Sequence, residues 1–221
     1  AKPKPLPPIG TDETPFVLPV GWEWTRFGTV TASIEAGWSP GCHPQPRSGD
    51  EWGVLKISAV SWGVFNPDEN KALPTDLEPK PEHEVHAGDF LMSRANTAEL
   101  VGRSVVITHT PPRLLLNDKT LRVRTTAAVD REYLNLFNNC AVARAYYAAQ
   151  ASGTSSSMRN LSREQIQRLP VALPPLTEQR RIVAKVNELM ALCDRIEVQL
   201  KRAQEKSTHL AAAIVHRLTA A

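Results

Sequence analysis

The chain has 221 residues, a formal net charge of +3 and a mean hydropathy of −0.29. Apolar residues make up 42% and charged residues 22%, which supports a folded core and argues against a disordered chain. No continuous run of about eighteen apolar residues occurs, so we expect no membrane-spanning helix. The three widely separated cysteines do not suggest a disulfide framework, and they favour a reducing, cytoplasmic location. The mild positive charge is compatible with nucleic-acid binding but does not require it.

Residues 1–20 form the first of three predicted regions. Six prolines in this stretch exclude a helix or a central strand, which predicts an extended linker or a wrapping arm. The chain begins with Ala1 rather than methionine, which suggests a fragment or a processed chain.

Residues 21–172 are predicted to form an α/β (α+β) domain. Strand-like composition recurs, in chain order, at 24–32, 52–60, 88–93, 104–108 and 121–124. Asp130 is the expected N-cap of a helix that continues to Tyr147, and Ser162 begins a capping-box pattern that predicts a short helical turn. Polar, proline-broken or glycine-containing stretches predict loops at 36–50, 66–81, 94–102 and 151–157.

Residues 173–221 are predicted to be a junction followed by a coiled-coil helix. The prolines in 171–176 exclude helix there, and Thr177 is the expected N-cap of a helix that would reach roughly 60 Å. Apolar residues then recur at alternating steps of four and three, which is the spacing of a two-helix seam. An alternative is a helix that folds back on its own domain. The predicted seam residues are Ile182, Val186, Leu189, Cys193, Ile196, Leu200, Leu210 and Ile214.

Motifs for nucleotide binding or nucleophilic catalysis are absent from the sequence. It contains no G-x-G-x-x-G or G-x-x-x-x-G-K-[ST] phosphate loop and no G-x-S-x-G elbow. Cys42 and His43 are an adjacent pair, with His83 and His86 further along, but structural zinc sites normally use two close ligand pairs.

One nuclease-like pattern is present. Asp68 and the segment 78–80 (EPK) match the PD…E-x-K spelling of metal-dependent nucleases, in which carboxylates hold Mg²⁺. Pro79 would break the strand that must orient both side chains, so a nuclease is the less favoured interpretation.

The remaining chemistry favours binding. Because the net charge is modest, non-specific attraction to phosphates would be weak, and discrimination would rest on a few base contacts. The predicted DNA-binding residues are Trp38, Ser39, Arg47, Lys56, Arg94, Asn96, Thr97, Arg103, Ser155, Ser156, Arg159 and Asn160.

Two loops and one aromatic residue carry most of that prediction. Residues 94–97 combine arginine, asparagine and threonine, which read guanine, adenine and the thymine methyl group respectively. Residues 152–160 offer hydroxyls, an arginine and an asparagine that suit phosphates and bases together. Trp38 is a candidate to stack on bases or wedge between them.

Four segments resemble a known family in the same order along the chain. Residues 173–183 (LPPLTEQRRIV) resemble the junction of the DNA-specificity subunits of type I restriction–modification systems. Residues 18–24 (LPVGWEW) resemble the start of their recognition domain, and residues 88–96 (GDFLMSRAN) resemble an internal segment. The SGT and NLS elements of residues 152–162 resemble a further segment of these subunits.

This resemblance implies a target-recognition domain that reads half of a bipartite DNA site, followed by a spacer helix. The implied partners are double-stranded DNA, methyltransferase subunits and a restriction subunit. S-adenosylmethionine, ATP and Mg²⁺ are expected on those partner subunits, whereas this chain would hold no cofactor and catalyse no reaction. A complete subunit has two recognition domains and two spacer helices, so this chain is expected to be half of a longer protein or a half-subunit that dimerises through its helix.

A second interpretation remains open from a different functional class. The globular part could bind protein rather than DNA, with the helix as a dimerising element, which would make the chain an interaction scaffold. Salt-dependent, sequence-selective DNA binding would separate the two interpretations.

Overall fold

The computed structural model describes residues 5–155 and 158–219. The chain divides into two compact units, Ala1–Gln179 and Arg180–Ala221, which are described separately. The prediction of a mixed helix and sheet fold with a long C-terminal helix is confirmed. None of the helices in the described part has the length and apolar content needed to cross a bilayer.

The described residues contain twelve strands and four α-helices. The strands are β1 (Glu23–Arg26), β2 (Thr31–Ala36), β3 (Gly53–Leu55), β4 (Asn70–Ala72), β5 (Phe90–Ser93), β6 (Ala95–Asn96), β7 (Ser104–Val106), β8 (Leu114–Leu115), β9 (Thr120–Thr125), β10 (Ser152–Ser155), β11 (Met158–Asn160) and β12 (Pro170–Leu173). The helices are α1 (Arg131–Asn139), α2 (Ala141–Gln150), α3 (Arg163–Gln167) and α4 (Leu176–Thr219).

The strands form four small sheets. The largest is antiparallel with the order β2-β9-β5-β7, and a second has the order β4-β3-β8, in which β3 and β8 run parallel. A third contains β10-β11-β6, and β1 pairs with β12. Leu55, Leu91, Val105 and Leu114, one from each of four strands, are at most 2% exposed and belong to one core cluster. The core therefore joins the sheets β2-β9-β5-β7 and β4-β3-β8 and provides a rigid base for the loops between them.

The prediction of one strand at 24–32 was partly wrong. This stretch is β1 and β2, separated by a helical turn at Phe27–Thr29. The predicted helix from Asp130 is likewise two helices, because Cys140 adopts an extended backbone between them. The Asp130 cap itself is confirmed, since its carboxylate accepts hydrogen bonds from the backbone N–H groups of Glu132 and Tyr133.

Three predicted loops contain strands. β4 lies within 66–81, β6 within 94–102 and β10 within 151–157. These strands have only two to four residues. The partner of β6 is β11, which is distant in sequence, whereas β10 and β11 form a hairpin. Local composition does not reveal such pairing, which explains the error.

The junction also differs from the prediction. Residues 170–173 form β12, which pairs with β1 and begins with Pro170, at the strand end where proline is tolerated. Thr177 is the second residue of α4 and therefore not its N-cap. The carbonyl of Pro175 instead accepts the first hydrogen bonds of the helix, from the backbone N–H groups of Glu178 and Gln179.

The proline-rich residues 5–20 are held to the domain by one buried side chain. The Arg26 guanidinium is 6% exposed and donates to the carbonyls of Pro7, Pro8 and Arg168. It also forms a bidentate ion pair with Glu13, with both distances 2.7 Å. Its hydrogen bonds lower the pKa of Glu13 to about 2. These contacts favour the wrapping-arm alternative for the described part of this region.

Helix α4 has 44 residues, which corresponds to roughly 65 Å. Three predicted seam residues have substantially exposed side chains, with Leu189 at 48%, Ile196 at 53% and Leu200 at 67%. Leu210 and Ile214 belong to the helix, but their side chains lie outside the described set. Pairing of this helix in a coiled coil stays a prediction.

Candidate nucleic-acid interface

The sheet β10-β11-β6 brings together the two loops that were predicted separately to bind DNA. Arg159 of β11 lies opposite Asn96 of β6, and Asn160 lies opposite Ala95. β10 pairs with the other edge of β11, with Ser155 opposite Met158. Segments 94–97, 152–155 and 158–160 therefore lie together in and beside one small sheet. Ser156, also predicted to bind DNA, lies outside the described residues.

Arg94 connects this small sheet to the four-stranded sheet β2-β9-β5-β7. Its backbone N–H donates to the carbonyl of Lys119 at 2.9 Å, and its own carbonyl accepts from Leu161 at 2.8 Å. The guanidinium Nε donates to the backbone carbonyl of Asp118 at 3.1 Å. The Arg94 side chain is thus half-buried and held in a defined direction, which is a prerequisite for reading a base edge.

The Asn96 side chain is bonded within the protein. Its Nδ2 donates to Ser61 Oγ at 2.8 Å, and its Oδ1 accepts from the backbone N–H of Thr97, also at 2.8 Å. A bidentate contact with adenine needs both of these groups. Each group retains one further hydrogen or lone pair, so the base-reading role of Asn96 stays a prediction.

Arg159 and Asn160 are placed differently on β11. Arg159 Nη1 donates to the carbonyl of Gly153 at 2.9 Å, whereas its Nε is buried without a hydrogen-bond partner. Asn160 is exposed. Gly153 has φ +142°, and an added Cβ would lie 2.5 Å from the carbonyl oxygen of Met158, so the hairpin requires glycine there.

A cavity of about 550 Å³ lies close to Arg94, with Asp118 in its lining. Lys56, Lys71 and Lys119 line it together with Ser39, whose hydroxyl donates to the Asp118 carboxylate at 2.5 Å. Among its charged lining residues three lysines face one carboxylate, and this excess of positive charge suits a phosphate group.

Lys56 is the member of this cavity with an acidic partner. Its Nζ lies 3.6 Å from the carboxylate of Glu69. The pKa of Glu69 is lowered, first by a hydrogen bond from Ser58 and then by the charge of Lys56. Lys56 is thus partly neutralised, and Lys71 and Lys119 supply more of the attraction to an anion.

Four of the predicted DNA-binding residues make other contacts within the protein or are partly buried. The Trp38 ring packs on the cluster of Val54, Leu73 and Leu115, and the Lys80 ammonium lies 4.6 Å from its centroid. The guanidinium of Arg47 donates to the carbonyls of Gly49 and Glu51. The carbonyl of Thr97 accepts from Leu100 and Val101, and Arg103 has a buried Nε without a partner. Contact with DNA stays a prediction for each of these residues.

The predicted set of DNA-binding residues does not include Trp62, Lys71 or Lys119. Trp62 is 74% exposed in a turn that Asn96 contacts through Ser61. Gly63 was a usable signal for the turn, because glycine adopts positive φ at no steric cost. The exposure of Trp62, however, depends on tertiary packing that the sequence does not display.

Metal-binding clusters are absent from the described residues, in which no group of three or more His, Cys, Asp or Glu side chains has suitable geometry. Lys80, the lysine of the nuclease-like pattern, lies over Trp38 instead. Cys42, Cys140 and Cys193 are all free cysteines.

Comparison with known proteins identifies relatives of this chain. No family model matches the chain. The chain is 39% identical, over 96% of its length, to the EcoEI specificity subunit, a type I restriction enzyme subunit of Escherichia coli. The curated homologues of this chain are type I restriction enzyme specificity subunits. The chain is also 30% identical, over 73% of its length, to the EcoKI specificity subunit of Escherichia coli strain K12.

The length and fold of these specificity-subunit relatives can be compared with this chain. It spans about a third of the curated relatives, 36% of the EcoEI subunit and 35% of the EcoKI subunit. The HsdS subunit of Thermoanaerobacter tengcongensis has a TM-score of 0.55 and 20% identity, over 80% of this chain and 39% of that one. A chain from a type I R-M system assembly has a TM-score of 0.57 and 22% identity, over 87% of this chain and 43% of that one. Both share the fold.

The fold also gives a structural role to one residue in the segment that resembles the specificity-subunit junction. Gln179 in the LPPLTEQ segment is fully buried, and its Nε2 donates to the carbonyls of Pro174 and Ala128. Its position is therefore fixed by backbone groups on both sides of the junction.

Proposed function

We propose that this chain is a non-enzymatic module that recognises one half of a bipartite double-stranded DNA site. The pairing of β6 with β11 carries the proposal, because it places Arg159 and the exposed Asn160 beside the segment that holds the oriented guanidinium of Arg94. Amide and guanidinium groups on one rigid surface match the donors and acceptors that base edges present in the major groove.

The basic cavity supplies the second component of binding. Lys71 and Lys119 would each hold a backbone phosphate and so fix the register of the protein on the duplex, while Arg94 reads a base. This division of tasks is consistent with the modest net charge, since only a few phosphates need to be contacted.

The proposed partners follow from the family and from α4. Exposed Leu189, Ile196 and Leu200 would pair with the spacer helix of a second recognition domain, or antiparallel with a second copy of this chain. Methyltransferase subunits with S-adenosylmethionine, and a restriction subunit with ATP and Mg²⁺, would then methylate adenine or restrict DNA at the chosen site. We place this complex in the cytoplasm, and we propose that the chain itself needs no cofactor.

Selection from a random duplex library tests this function. The full chain, alone and assembled with its methyltransferase subunits, is expected to enrich a short sequence, with affinity that falls as salt rises. Enrichment of no sequence in either form would reject the proposal and favour the interaction scaffold. Cleavage of plasmid DNA by the purified chain with Mg²⁺ would contradict the absence of catalysis and revive the nuclease interpretation.

A further inference from the structure

The turn at 61–65 presents two large apolar side chains to solvent. Trp62 and Val64 are each 74% exposed, and Gly63 between them has φ +78°. All five tryptophans of the sequence lie in the described part, and the other four are at least half-buried there. Burying a tryptophan removes about 150–250 Å² from water, so an exposed one forgoes considerable stabilisation.

This turn is rigidly attached to the domain. Ser61 Oγ donates to the carbonyl of Ile57 at 2.8 Å, and the backbone N–H of Asn66 donates to the carbonyl of Ala59 at 2.9 Å. Phe65 packs on the core cluster that includes Ala59. Trp62 and Val64 are therefore held outward by an anchored backbone, and they are preorganised for contact with another molecule.

Asn96 links this turn to the candidate interface. Its Nδ2 donates to Ser61 Oγ, the residue before Trp62, and its backbone pairs with Arg159 in the small sheet. The turn that carries Trp62 is thus bonded to β6, and β6 pairs with the strand that carries Arg159 and the exposed Asn160. Positive charge and hydrogen-bonding groups beside an apolar ring match a nucleic acid better than an apolar protein surface.

We propose that Trp62 is an apolar wedge that stacks on a base step of the bound duplex, and that Asn96 positions its turn rather than reading a base. The inference rests on the proposed DNA-binding function. Aromatic side chains stack on bases of any sequence, and apolar wedges partly unstack a step and kink the duplex. A stacking role would explain why the Trp62 ring is left in water while the Asn96 amide is used internally.

Affinity and base stacking test the wedge directly. The full chain binds a duplex selected from the random library, with 2-aminopurine placed at each step in turn. We expect binding to raise 2-aminopurine fluorescence at one step. Trp62→Ala should abolish that rise and weaken affinity about tenfold or more, whereas Trp62→Phe should retain most of the rise and of the affinity.

Unchanged affinity and fluorescence in Trp62→Ala would overturn the wedge while leaving DNA recognition intact. Loss of methyltransferase binding alone would show instead that a protein covers the ring. A wild-type chain that selects no sequence would refute the underlying function.

A double-mutant cycle tests the role of Asn96. If Asn96 acts through the turn, Asn96→Ala should weaken binding in the wild type but have little further effect in Trp62→Ala. Ser61→Ala removes the acceptor of the same hydrogen bond and should reproduce this pattern. Agreement between the two variants would show that the effect of Asn96→Ala does not come from misfolding. Additive losses would make Asn96 a direct base reader and overturn its positioning role. Urea unfolding of each variant checks that the fold is retained.

Discussion

The side-chain oxygen of Gln179 accepts a hydrogen bond from the backbone N–H of Asp130 at 2.7 Å, which connects the start of α4 to the start of α1. Asp130 in turn caps α1 with its carboxylate. The Gln179 amide also donates to Pro174 and Ala128, so one buried side chain satisfies three backbone groups. Neither glutamate nor leucine could do this, because glutamate lacks the donors and leucine lacks both functions.

Replacing Gln179 should therefore destabilise the domain. Gln179→Ala removes three hydrogen bonds made by a fully buried side chain, and we expect the free energy of unfolding to fall by about 3 kcal/mol. Urea denaturation measures the change. Gln199→Ala, at an exposed position of the same helix, is the matched control and should change stability by less than about 0.5 kcal/mol. Equal effects of the two substitutions would contradict the proposed role of Gln179.

The Glu13–Arg26 pair should make attachment of the arm dependent on pH. Hydrogen bonds from Arg26 lower the pKa of Glu13 to about 2 from its ordinary value of 4.5. Because the folded-state pKa is lowered, its stabilisation is complete above about pH 4.5 and is lost as pH falls towards 2. The wild type should be more stable than Glu13→Gln at pH 6, and the difference should shrink progressively below pH 4.5. Urea unfolding at a series of pH values measures this, with Asp12→Asn as the charge control, and a difference that stays constant with pH would argue against it.

Elements with strong local signals were predictable from the sequence. The Asp130 cap and the start of β5 near Phe90 follow from side chains close to them in the chain. The strands β6 and β12 were missed because their hydrogen bonds come from β11 and β1, far away in sequence. Pairing energy of this kind depends on tertiary structure and leaves no periodic pattern in a segment of two to four residues.

The sequence indicated single residues of the candidate site but not how they are arranged in space. Arg94 and Arg159 were recognised from their chemistry, but their proximity depends on the pairing of β6 with β11. Trp38 and Trp62 look alike in sequence, since each precedes a small residue. Packing separates them, because the Trp38 ring lies on a core cluster while Trp62 is exposed.

Arg94 should determine selectivity more than total affinity. Its Nε donates to the carbonyl of Asp118, which orients the guanidinium, and we expect the terminal nitrogens to contact the base. Arg94→Ala should lose about 1–3 kcal/mol of discrimination between the selected duplex and a random one, with a smaller loss on random DNA. Competition binding measures both quantities. An equal loss on both duplexes would make Arg94 a phosphate contact rather than a base reader.

Lys71 and Lys119 should determine total affinity more than selectivity. If each neutralises a DNA phosphate, Lys71→Gln with Lys119→Gln should reduce the slope of log affinity against log salt by about 1.8, uniformly across sequences. Titrations between low and physiological salt on selected and random duplexes provide the slopes. Lys185→Gln, which removes a helix lysine paired with Glu188, is the matched control. Loss of selectivity without a change in slope would exclude phosphate binding in the cavity.

The exposed seam of α4 should drive association of two helices. Leu189 and Leu200 are 48% and 67% exposed, and on a helix of 3.6 residues per turn they lie within about 20° of each other. Burial of each against a partner would contribute about 1.5–3 kcal/mol, so Leu189→Asp with Leu200→Asp should yield monomers. Val198, 50% exposed, lies nearly opposite Leu189 on the helix, so Val198→Asp should leave the dimer intact. Light scattering at micromolar concentration measures the mass. A dimer that survives the double substitution, or that is lost equally in Val198→Asp, would show that association does not use the predicted seam.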